Sequence, residues 1–309
     1  SFAGRRVLLV GDMLADHYVY GKTSRISREA PVLILKYQEK WTVPGQAANT
    51  ASNIASLGGR VTPIGVIGKD PAGRDLKAAL KARGVRTDSL LELKDYSTLT
   101  KTRILAGGHH TSRQQVIRID DDDRPDLDGT IHRDLADRIR KEGAEADAVV
   151  VSDYGYGLVS ETVWQAALEV KTHSGIPLIL DSRYQFLKLR GATIITPNEE
   201  EAVECCGLSL EDDYDIEAVG RKLLKQTGAE NVLVTRGNEG MVLFRPGRPA
   251  RHVPIFGSDE CTDVTGAGDT VVATVALALA AGATPEQAAL LANTAGGIVV
   301  MKMGTATVS

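Results

Sequence analysis

The stretch RRVLLVGD, residues 5–12, carries four consecutive aliphatic residues and ends in Gly11 and Asp12. Such a continuous apolar run is typical of a central β-strand that is covered on both faces. The same pattern, an apolar strand followed at once by polar residues, recurs at 148–153, 177–181, 192–198 and 231–237. Helical patterns lie between these strands, at 160–174, 199–206 and 216–227. This alternation predicts an α/β fold with a mostly parallel central sheet, whose ligands bind at the carboxyl ends of the strands.

Two segments break the alternation, approximately residues 18–40 and 97–120. Both read as extended chain, and we expect them to form a small β-sheet that stands off the main layer as a lid. No internal repeat and no low-complexity linker interrupts the sequence. We therefore expect a single domain over residues 1–309.

Composition narrows the class of protein. The chain has 309 residues, 43% of them hydrophobic, and a net charge of −4, which argues against a nucleic-acid surface and favours a small-molecule partner. The longest apolar run, 271–281, is too short to cross a bilayer, and residues 1–6 do not resemble a signal peptide, so we expect a cytoplasmic protein without a membrane partner. The three cysteines, at 205, 206 and 261, form no Cys-x-x-Cys pair and predict neither a disulfide framework nor a zinc site.

The most specific motif is DVTGAGDT, residues 263–270, which an apolar helical pattern follows at 271–281. Gly266, Ala267 and Gly268 can turn their backbone amides toward one point, and the positive end of the helix adds to that potential. Asp269 at this anion hole is suited to accept the proton of a hydroxyl that attacks phosphorus. A shorter Gly-x-Gly-Asp match would be read as an ordinary turn with a helix cap; eight residues are more specific.

Other motifs are weak or missing. The sequence contains neither a Walker phosphate loop nor Gly-x-Gly-x-x-Gly. The acidic run 120–128 lacks the ligand spacing of a calcium loop, and His109 and His110 have no third metal ligand at a useful spacing. We expect no metal site at either place.

The 263–270 motif resembles the carboxyl-terminal signature of the ribokinase and phosphofructokinase-B family of carbohydrate kinases. The resemblance runs the length of the chain and implies a three-layer α/β/α sandwich with a small β-sheet lid. It implies ATP and Mg²⁺ as cofactors and Asp269 as the catalytic base. It also implies an acceptor-sugar site, for which the candidates are Asp12, Asp16, Gly45, Asn49, Arg118, Asp153 and Arg183.

The same resemblance assigns the nucleotide side of the site. Asn198 and Glu201 match an Asn-x-x-Glu element that places magnesium through water, and Thr235, Arg236, Gly237 and Gly240 match a nucleotide-binding loop. Asn293 matches the wall beside the adenine. Asp263, Thr265 and Gly304 fall where some members of the family bind a monovalent cation such as potassium.

A closer resemblance is to the kinase half of the bacterial heptose-phosphate kinases and nucleotidyltransferases of lipopolysaccharide synthesis. It rests on strings outside the general signature, at 20–27, 29–32, 53–58, 190–193 and 304–309. It implies transfer of the ATP γ-phosphoryl group to the anomeric hydroxyl of D-glycero-D-manno-heptose 7-phosphate. The resemblance ends with the kinase half, and we expect no nucleotidyltransferase domain in these residues.

Three departures from that subfamily lie near the expected acceptor site: Gln46 in place of a glycine, Tyr156 in place of a lysine, and Ser182-Arg183 in place of Pro-Lys. They leave open a kinase for another sugar or sugar phosphate. A non-catalytic nucleotide or sugar sensor is a remote alternative, since a sensor does not need Asp269. Because the lid presents strand edges, we also expect a homodimer joined through it.

Overall fold

The computed structural model describes residues 1–107, 113–123, 126–257, 263–302 and 306–309. The strands are β1 (Arg6–Gly11), β2 (Met13–Ile26), β3 (Leu33–Gln46), β4 (Arg60–Ile64), β5 (Val66–Gly68), β6 (Leu91–Leu93), β7 (Leu99–Gly107), β8 (Gln114–Asp121), β9 (Ala148–Asp153), β10 (Leu178–Ser182), β11 (Ile194–Ile195), β12 (Asn231–Thr235), β13 (Met241–Phe244) and β14 (Arg251–Val253). The α-helices are α1 (Ala47–Ser56), α2 (Pro71–Ala82), α3 (Gly129–Gly143), α4 (Glu161–Ser174), α5 (Glu199–Cys205), α6 (Ile216–Thr227), α7 (Ala267–Ala280) and α8 (Pro285–Val299).

The main sheet has the strand order β14-β13-β12-β11-β10-β9-β1-β4. Neighbours from β12 to β4 pair in parallel, and β13 is antiparallel to both β12 and β14. The parallel strands therefore end at one edge of the sheet, where the polar residues that follow them meet. The predicted, mostly parallel sheet is confirmed.

Helices cover both faces of this sheet, which confirms the three-layer α/β/α architecture. The side chains of β1 alternate between two cores: Leu8 and Val10 face one cluster, and Val7 and Leu9 face the other. The first cluster includes residues of α3, α4, α5 and α6, and the second includes residues of α1, α2, α7 and α8. Strands buried on both faces need no polar alternation, which explains their uninterrupted apolar sequence.

The smaller sheet has the order β3-β2-β7-β8 and forms the expected lid. Its strands β2 and β3 are longer than the segment predicted at 18–40, since β2 begins at Met13 and β3 continues to Gln46. The first residues of β2, Met13, Leu14 and Ala15, are buried and apolar like the residues of the core. Their sequence therefore did not mark them as part of a solvated lid. The lid strands thus begin inside the main body, beside the end of β1.

The helix predicted at 216–227 has those bounds, whereas the one predicted at 271–281 begins four residues earlier, at Ala267. The glycines of the motif hid this start, because glycine is a poor helix former. Within the described ranges, no helix is both long and apolar enough to cross a membrane.

Candidate active site

The start of α7 forms the centre of the site. Gly266 precedes the helix with φ 78°, a left-handed conformation that glycine adopts without steric cost. Because the helix begins at Ala267, Asp269 lies in its first turn rather than in the preceding loop. The helix thereby fixes the direction of the Asp269 carboxylate, which is buried at the carboxyl edge of the sheet.

Three side chains donate hydrogen bonds to Asp269. The Asn49 amide donates to Oδ2 over 2.7 Å, the Thr50 hydroxyl donates to Oδ1 over 2.9 Å, and the Tyr154 phenol donates to Oδ1 over 2.8 Å. Asn49 was expected among the sugar ligands, and here it also holds the candidate base. Thr50 and Tyr154 were not predicted, because their contacts with Asp269 join distant parts of the chain. Tyr154 lies two residues before Tyr156, in the same short string, but the sequence assigned it no role.

The electrostatics of Asp269 result from opposing effects. Burial raises the pKa of its carboxyl group, while the hydrogen bonds from Asn49, Tyr154 and Thr50 lower that pKa in part. Burial also raises the pKa of the Tyr154 phenol well above its ordinary value, and the adjacent Asp269 adds to this rise. Tyr154 therefore stays protonated and acts as a donor to the base.

The predicted anion hole lies beside this carboxylate. The Ala267 amide donates to the Val264 carbonyl oxygen over 3.1 Å, so it is already engaged in the turn. In the first turn of a helix, the next amides, here those of Gly268 and Asp269, have no acceptor within the helix. These two groups and the positive end of α7 are suited to bind anionic phosphoryl oxygens.

Asp12 follows β1 at the acceptor side of the site. Its Oδ2 accepts a hydrogen bond of 2.8 Å from the Tyr154 amide. Burial is the largest influence on Asp12 and, with the negative charge of Asp153, raises the pKa of its carboxyl group to about 7. Asp12 is therefore poised between its neutral and charged forms near neutral pH, and in either form it offers an oxygen to a sugar hydroxyl.

Asp16 lies on β2 and forms a buried ion pair with Arg103 of β7. Burial raises the pKa of Asp16, and the positive charge of Arg103 opposes that rise. A side chain at Gly45 would collide with this carboxylate, since an added Cβ would lie 2.6 Å from Oδ2 of Asp16. Gly45 thus makes room for Asp16, and Arg103 joins the candidate site although no motif indicated it.

The inner face of the lid is polar. Arg103 pairs directly with Arg118 of β8, and Lys101 pairs with Asp120, so these side chains share the face that carries Asp16. Arg118 is half exposed and donates to Asp120 over 2.8 Å. The predicted ligand Arg118 therefore belongs to a row of cations, with Lys101 and Arg103, that extends along the lid.

Asp153 ends β9 and is committed to protein contacts. Oδ2 accepts hydrogen bonds from the Ser182 hydroxyl over 2.6 Å and from the side-chain amide of Gln185 over 3.0 Å. Oδ1 accepts a hydrogen bond from the backbone amide of Gly155 over 3.1 Å. These bonds tie the loop after β9 to the loop after β10. The contacts fix the direction of the Asp153 carboxylate, which also borders the cavity described below.

Gln46 connects β3 with α1 in an unfavourable conformation. Its φ of 53° and ψ of −132° are accessible mainly to glycine, and within the described ranges no other non-glycine residue has a positive φ. Such a conformation costs about 1–3 kcal/mol. The Gln46 Oε1 atom is buried and has no hydrogen-bond partner among the described residues, which is a second energetic cost at this residue.

A cavity of about 440 Å³ opens at the carboxyl ends of β9 to β12. Its walls include residues predicted for both halves of the site, namely Asp153, Arg183, Asn198, Glu201, Thr235 and Gly268, together with Tyr154 and Asp181, which were not predicted. Arg183 was predicted for the acceptor side, yet it shares this cavity with the nucleotide-side residues. Burial raises the pKa of Glu201, and the positive charge of Arg183 opposes that rise in part, so Arg183 and Glu201 are electrostatic neighbours.

Asn198 and Glu201 form a reciprocal capping box at the start of α5. The backbone amide of Glu201 donates to Asn198 Oδ1 over 2.8 Å, and the backbone amide of Asn198 donates to Glu201 Oε2 over 3.0 Å. Burial raises the pKa of Glu201. It also raises that of Asp181 well above the ordinary value, with the charges of Glu201 and Asp269 adding to the effect. Asp181 was not singled out by the sequence, although it follows an apolar strand.

This concentration of carboxylates suits a divalent cation, which would relieve their mutual repulsion. Among the described residues, no group of three or more His, Cys, Asp or Glu side chains converges on one metal position. Magnesium commonly binds through one or two carboxylates and completes its coordination with water and phosphate oxygens. Glu201 and Asp181 are the protein groups that fit such an ion.

The loop after β12 holds its predicted residues by contacts within the protein. Thr235 donates its amide to the Pro197 carbonyl oxygen over 3.0 Å, which joins this loop to Asn198. Arg236 forms ion pairs with Glu199 over 2.8 Å and with Glu239 over 2.6 Å. The loop also includes Gly237, with φ 53°, and Gly240, with φ 81°. The guanidinium of Arg236 thus braces the loop against α5.

Asn293 of α8 is buried and donates its amide to the Pro254 carbonyl oxygen over 2.8 Å. It fastens the chain that follows β14 to the helix. Asp263 accepts a hydrogen bond from the Thr265 amide over 2.9 Å within the turn before α7. Gly304, the third predicted ligand of a monovalent cation, lies outside the described residues. Cys261, His109 and His110, to which no site was assigned, also lie outside them.

A buried carboxylate at the amino end of α7, close to further carboxylates and to an open cavity at the strand ends, is an arrangement that suits a phosphotransferase acting on an alcohol group. The family model described as pfkB family carbohydrate kinase matches residues 5–309, and the chain belongs to that family. It is an ATP-dependent sugar kinase of the PfkB type.

Curated relatives agree with this assignment. The chain is 39% identical over 308 residues to "Bifunctional protein HldE" of Desulfatibacillum aliphaticivorans, covering 99% of this chain and 62% of the relative. It is 41% identical over 311 residues to the protein of that name from Gluconobacter oxydans (strain 621H), covering 100% of this chain and 64% of the relative. The chain therefore spans less than two thirds of the length of these relatives.

Solved structures share the fold at low sequence identity. Arabidopsis thaliana ribokinase complexed with ribose and ATP superposes with a TM-score of 0.74 at 22% identity, covering 97% of this chain and 94% of that one. Phosphofructokinase-2 from Escherichia coli in complex with potassium superposes with a TM-score of 0.78 at 21% identity, covering 98% and 94%. The ribokinase-like fold predicted from the sequence is confirmed.

Proposed function

We propose that this kinase transfers the γ-phosphoryl group of ATP to the anomeric hydroxyl of D-glycero-D-manno-heptose 7-phosphate. The likeness to bifunctional HldE proteins over essentially all of this chain supports that acceptor, together with the sequence strings that resemble heptose-phosphate kinases. The reaction is supported above all by the geometry of Asp269, whose carboxylate three donors orient beside the amino end of α7.

In this mechanism Asp269 accepts the proton of the attacking hydroxyl. Oδ1 already receives two hydrogen bonds and Oδ2 receives one, so Oδ2 has the greater capacity left for that proton. As negative charge develops on the moving phosphoryl group, the amides of Gly268 and Asp269 stabilise it. The fixed position of the carboxylate supplies the proximity on which phosphoryl transfer depends.

The acceptor sugar occupies the space between the end of β1 and the lid. Asp12, Asp16 and Asn49 supply acceptors and a donor for its hydroxyls, and Lys101, Arg103 and Arg118 give the lid its positive charge. Cations of this kind suit a sugar that carries a phosphate. In this arrangement the 7-phosphate lies toward the lid rather than toward Tyr156.

ATP lies across the strand ends between the turn before α7 and the loops that carry Asn198 and Thr235. In this proposal Asn293 and Gly240 lie on the nucleotide side of the site. Magnesium, when bound, neutralises charge on the phosphates and aligns them for transfer. In this proposal Glu201 and Asp181 would hold the ion through its bound water, and Asp263 and Thr265 would contribute to a site for a monovalent cation.

A kinase for another sugar or sugar phosphate is the second candidate. The tyrosine at position 156 favours it, because a neutral phenol stands where the resembled subfamily has a cationic side chain. ADP release, measured with ATP and Mg²⁺ against heptose 7-phosphate, heptose, ribose, fructose and fructose phosphates, separates the candidates. Selective turnover of heptose 7-phosphate supports the first, and activity on another member alone supports the second.

We also propose a homodimer joined through the lid. The outer face of the lid is apolar and lines a cavity of about 480 Å³ formed by residues that include Val19, Leu35, Ile104 and Ile117. Tyr37 is 67% exposed and Ile117 is 54% exposed on the same sheet, an unfavourable arrangement for an isolated chain in water. The edge strands β3 and β8 offer backbone groups to the same partner.

Since ATP is an intracellular cofactor, we assign the reaction to the cytoplasm.

A further inference from the structure

Gln46 combines two energetic costs at one position of the candidate acceptor site: its backbone conformation, and a buried Oε1 atom that has no hydrogen-bond partner in the part of the chain that the structure describes. Natural sequences retain such costs chiefly where a function requires them. A glycine would adopt this backbone conformation without strain and would have no side-chain oxygen to satisfy. The side chain of Gln46 therefore calls for an explanation beyond folding.

The surroundings of Gln46 belong to the reaction centre. The amide of the next residue, Ala47, donates to the backbone oxygen of Asp12 over 3.2 Å. Asn49, three residues further along α1, holds Asp269. A sugar hydroxyl that reaches Gln46 is thus part of the same acceptor molecule whose attacking hydroxyl meets the base.

The Gln46 side chain lies close to the phenol of Tyr156. The Tyr156 phenol donates to Asp122 Oδ2 over 2.9 Å, which leaves its oxygen to accept a hydrogen bond. Hydrogen bonding from the Gln46 side chain lowers the pKa of Tyr156, opposing the larger effect of burial. In a glutamine side chain only Nε2 donates, so a lowering of this pKa is the effect of Nε2, and the buried Oε1 is the atom left to accept.

The charge around this pair selects the kind of group that can bind. Asp122 accepts a hydrogen bond from Tyr156, and the negative charges of Asp122 and Asp12 add to the effect of burial in raising the pKa of this phenol. A phosphate or carboxylate would be repelled here, whereas a neutral hydroxyl can donate to the unpaired Oε1. The described surroundings of Tyr156 therefore favour the uncharged, hydroxyl-bearing part of a sugar.

We propose that Gln46 is a specificity-determining residue: its Oε1 accepts a hydrogen bond from a neutral hydroxyl of the acceptor sugar, and Tyr156 holds the amide in the orientation that makes this possible. This inference rests on the proposed sugar-kinase function and extends it. It assigns the polyol part of the acceptor to the space beside Gln46 and excludes an anionic substituent from that space.

The test uses the acceptor that gives the highest turnover in the panel, together with its monodeoxy analogues. Wild-type protein should discriminate about ten-fold or more against one analogue, because a missing hydroxyl leaves the buried Oε1 unpaired. Gln46→Gly should lower kcat/KM for the parent sugar about ten-fold, lose the discrimination against that analogue and leave the KM for ATP within about two-fold. Its melting temperature should not fall, since glycine relieves the backbone strain.

Two further variants separate the amide from the backbone. Gln46→Ala keeps a Cβ at the strained position but lacks the amide, so it should share the kinetic defect of Gln46→Gly. Tyr156→Phe should weaken the same discrimination in part, because the amide is no longer held. If Gln46→Gly keeps both the wild-type kcat/KM and the wild-type analogue profile, the inference is wrong.

Failure of the proposed function has a different signature. Wild-type protein would then phosphorylate no sugar of the panel. In that event, binding of the panel sugars to wild type and to Gln46→Gly, measured by saturation-transfer NMR, decides the inference. Weaker binding by Gln46→Gly supports it, and equal binding or no binding by both proteins overturns it.

Discussion

The phenol of Tyr154 donates a hydrogen bond of 2.8 Å to Oδ1 of Asp269, although the two residues are 115 positions apart. Tyr154 lies in the loop after β9, and Asp269 lies in the first turn of α7. The bond lowers the pKa of a carboxyl group that burial raises. In the proposed mechanism Tyr154 is therefore a positioning residue, and we expect it to influence the pH range in which Asp269 acts as a base.

Tyr154→Phe removes this bond and should raise the pKa of Asp269 further. A base is active when deprotonated, so activity is lost as the pH falls through its pKa. The acid limb of the kcat profile should therefore move to higher pH in the variant. Thr50→Val removes the other hydrogen bond to Oδ1 and should move the limb in the same direction. An unchanged limb in both variants would contradict this role, even if overall activity fell.

Asp269→Asn tests the base itself. The amide cannot accept the hydroxyl proton, and kcat should fall by roughly 10²–10⁴-fold, the usual contribution of a positioned general base. Nucleotide binding, measured by titration calorimetry, should change little, because the helix start remains in place. Near-normal turnover by the variant would remove Asp269 from the mechanism.

Asp12→Asn tests the cost of burying that carboxyl group. Its pKa is about 7 in the folded chain against an ordinary value of 3.8, so the native state holds the proton more strongly than the unfolded state. The stability contributed by this group is present below the ordinary pKa and is lost as the pH rises through 7. Asparagine does not ionise, and the variant should gain stability relative to wild type at about pH 8, by at most about 4 kcal/mol.

The measurement for Asp12 is the free energy of unfolding by urea at about pH 5 and about pH 8. The difference between wild type and Asp12→Asn should favour the variant more strongly at the higher pH. The exposed Asp95 serves as a matched control, and Asp95→Asn should show no such difference. An equal effect of pH on wild type and Asp12→Asn would count against the shifted pKa.

Glu201→Gln tests the cation side of the site. Glutamine also serves in a capping box, so α5 should keep its start while the negative charge is lost. The concentration of Mg²⁺ that gives half-maximal turnover should rise about ten-fold, with a smaller effect on the KM for the sugar. Glu211→Gln, at an exposed position outside the cavity, is the control and should leave the Mg²⁺ dependence unaltered.

Ile117→Asp tests the proposed dimer. A charge on the apolar outer face of the lid should lower the molecular mass measured by sedimentation equilibrium to that of one chain. Leu210→Asp alters a side chain that is exposed to a similar degree, 50% against 54%, but lies outside the lid. It should leave the mass of the assembly unchanged. A wild-type protein that sediments as a monomer would rule out this part of the proposal.

Local patterns in the sequence predicted the strands, helices and caps that depend on interactions between residues close together in the chain. The apolar run before Gly11 and Asp12 predicts β1, and the period of apolar residues at 216–227 predicts α6. The reciprocal bonds of Asn198 and Glu201 form between residues three positions apart, within the reach of a sequence motif. The start of α7 was missed because the glycines that build the turn also disguise the first turn of the helix.

What the sequence determined by itself is the order of the strands and helices, the family, and Asp269 as the candidate base, since each is encoded in a continuous stretch of chain. Tertiary structure alone decided what surrounds that base. Asn49 meets Asp269 across 220 residues, and Arg103 meets Asp16 across 87. Such contacts arise when strands and helices pack around one core, so no local period or spacing predicts them. The same packing brings Tyr156 close to Gln46. Both positions differ from the resembled subfamily, and only the tertiary structure shows that they are neighbours.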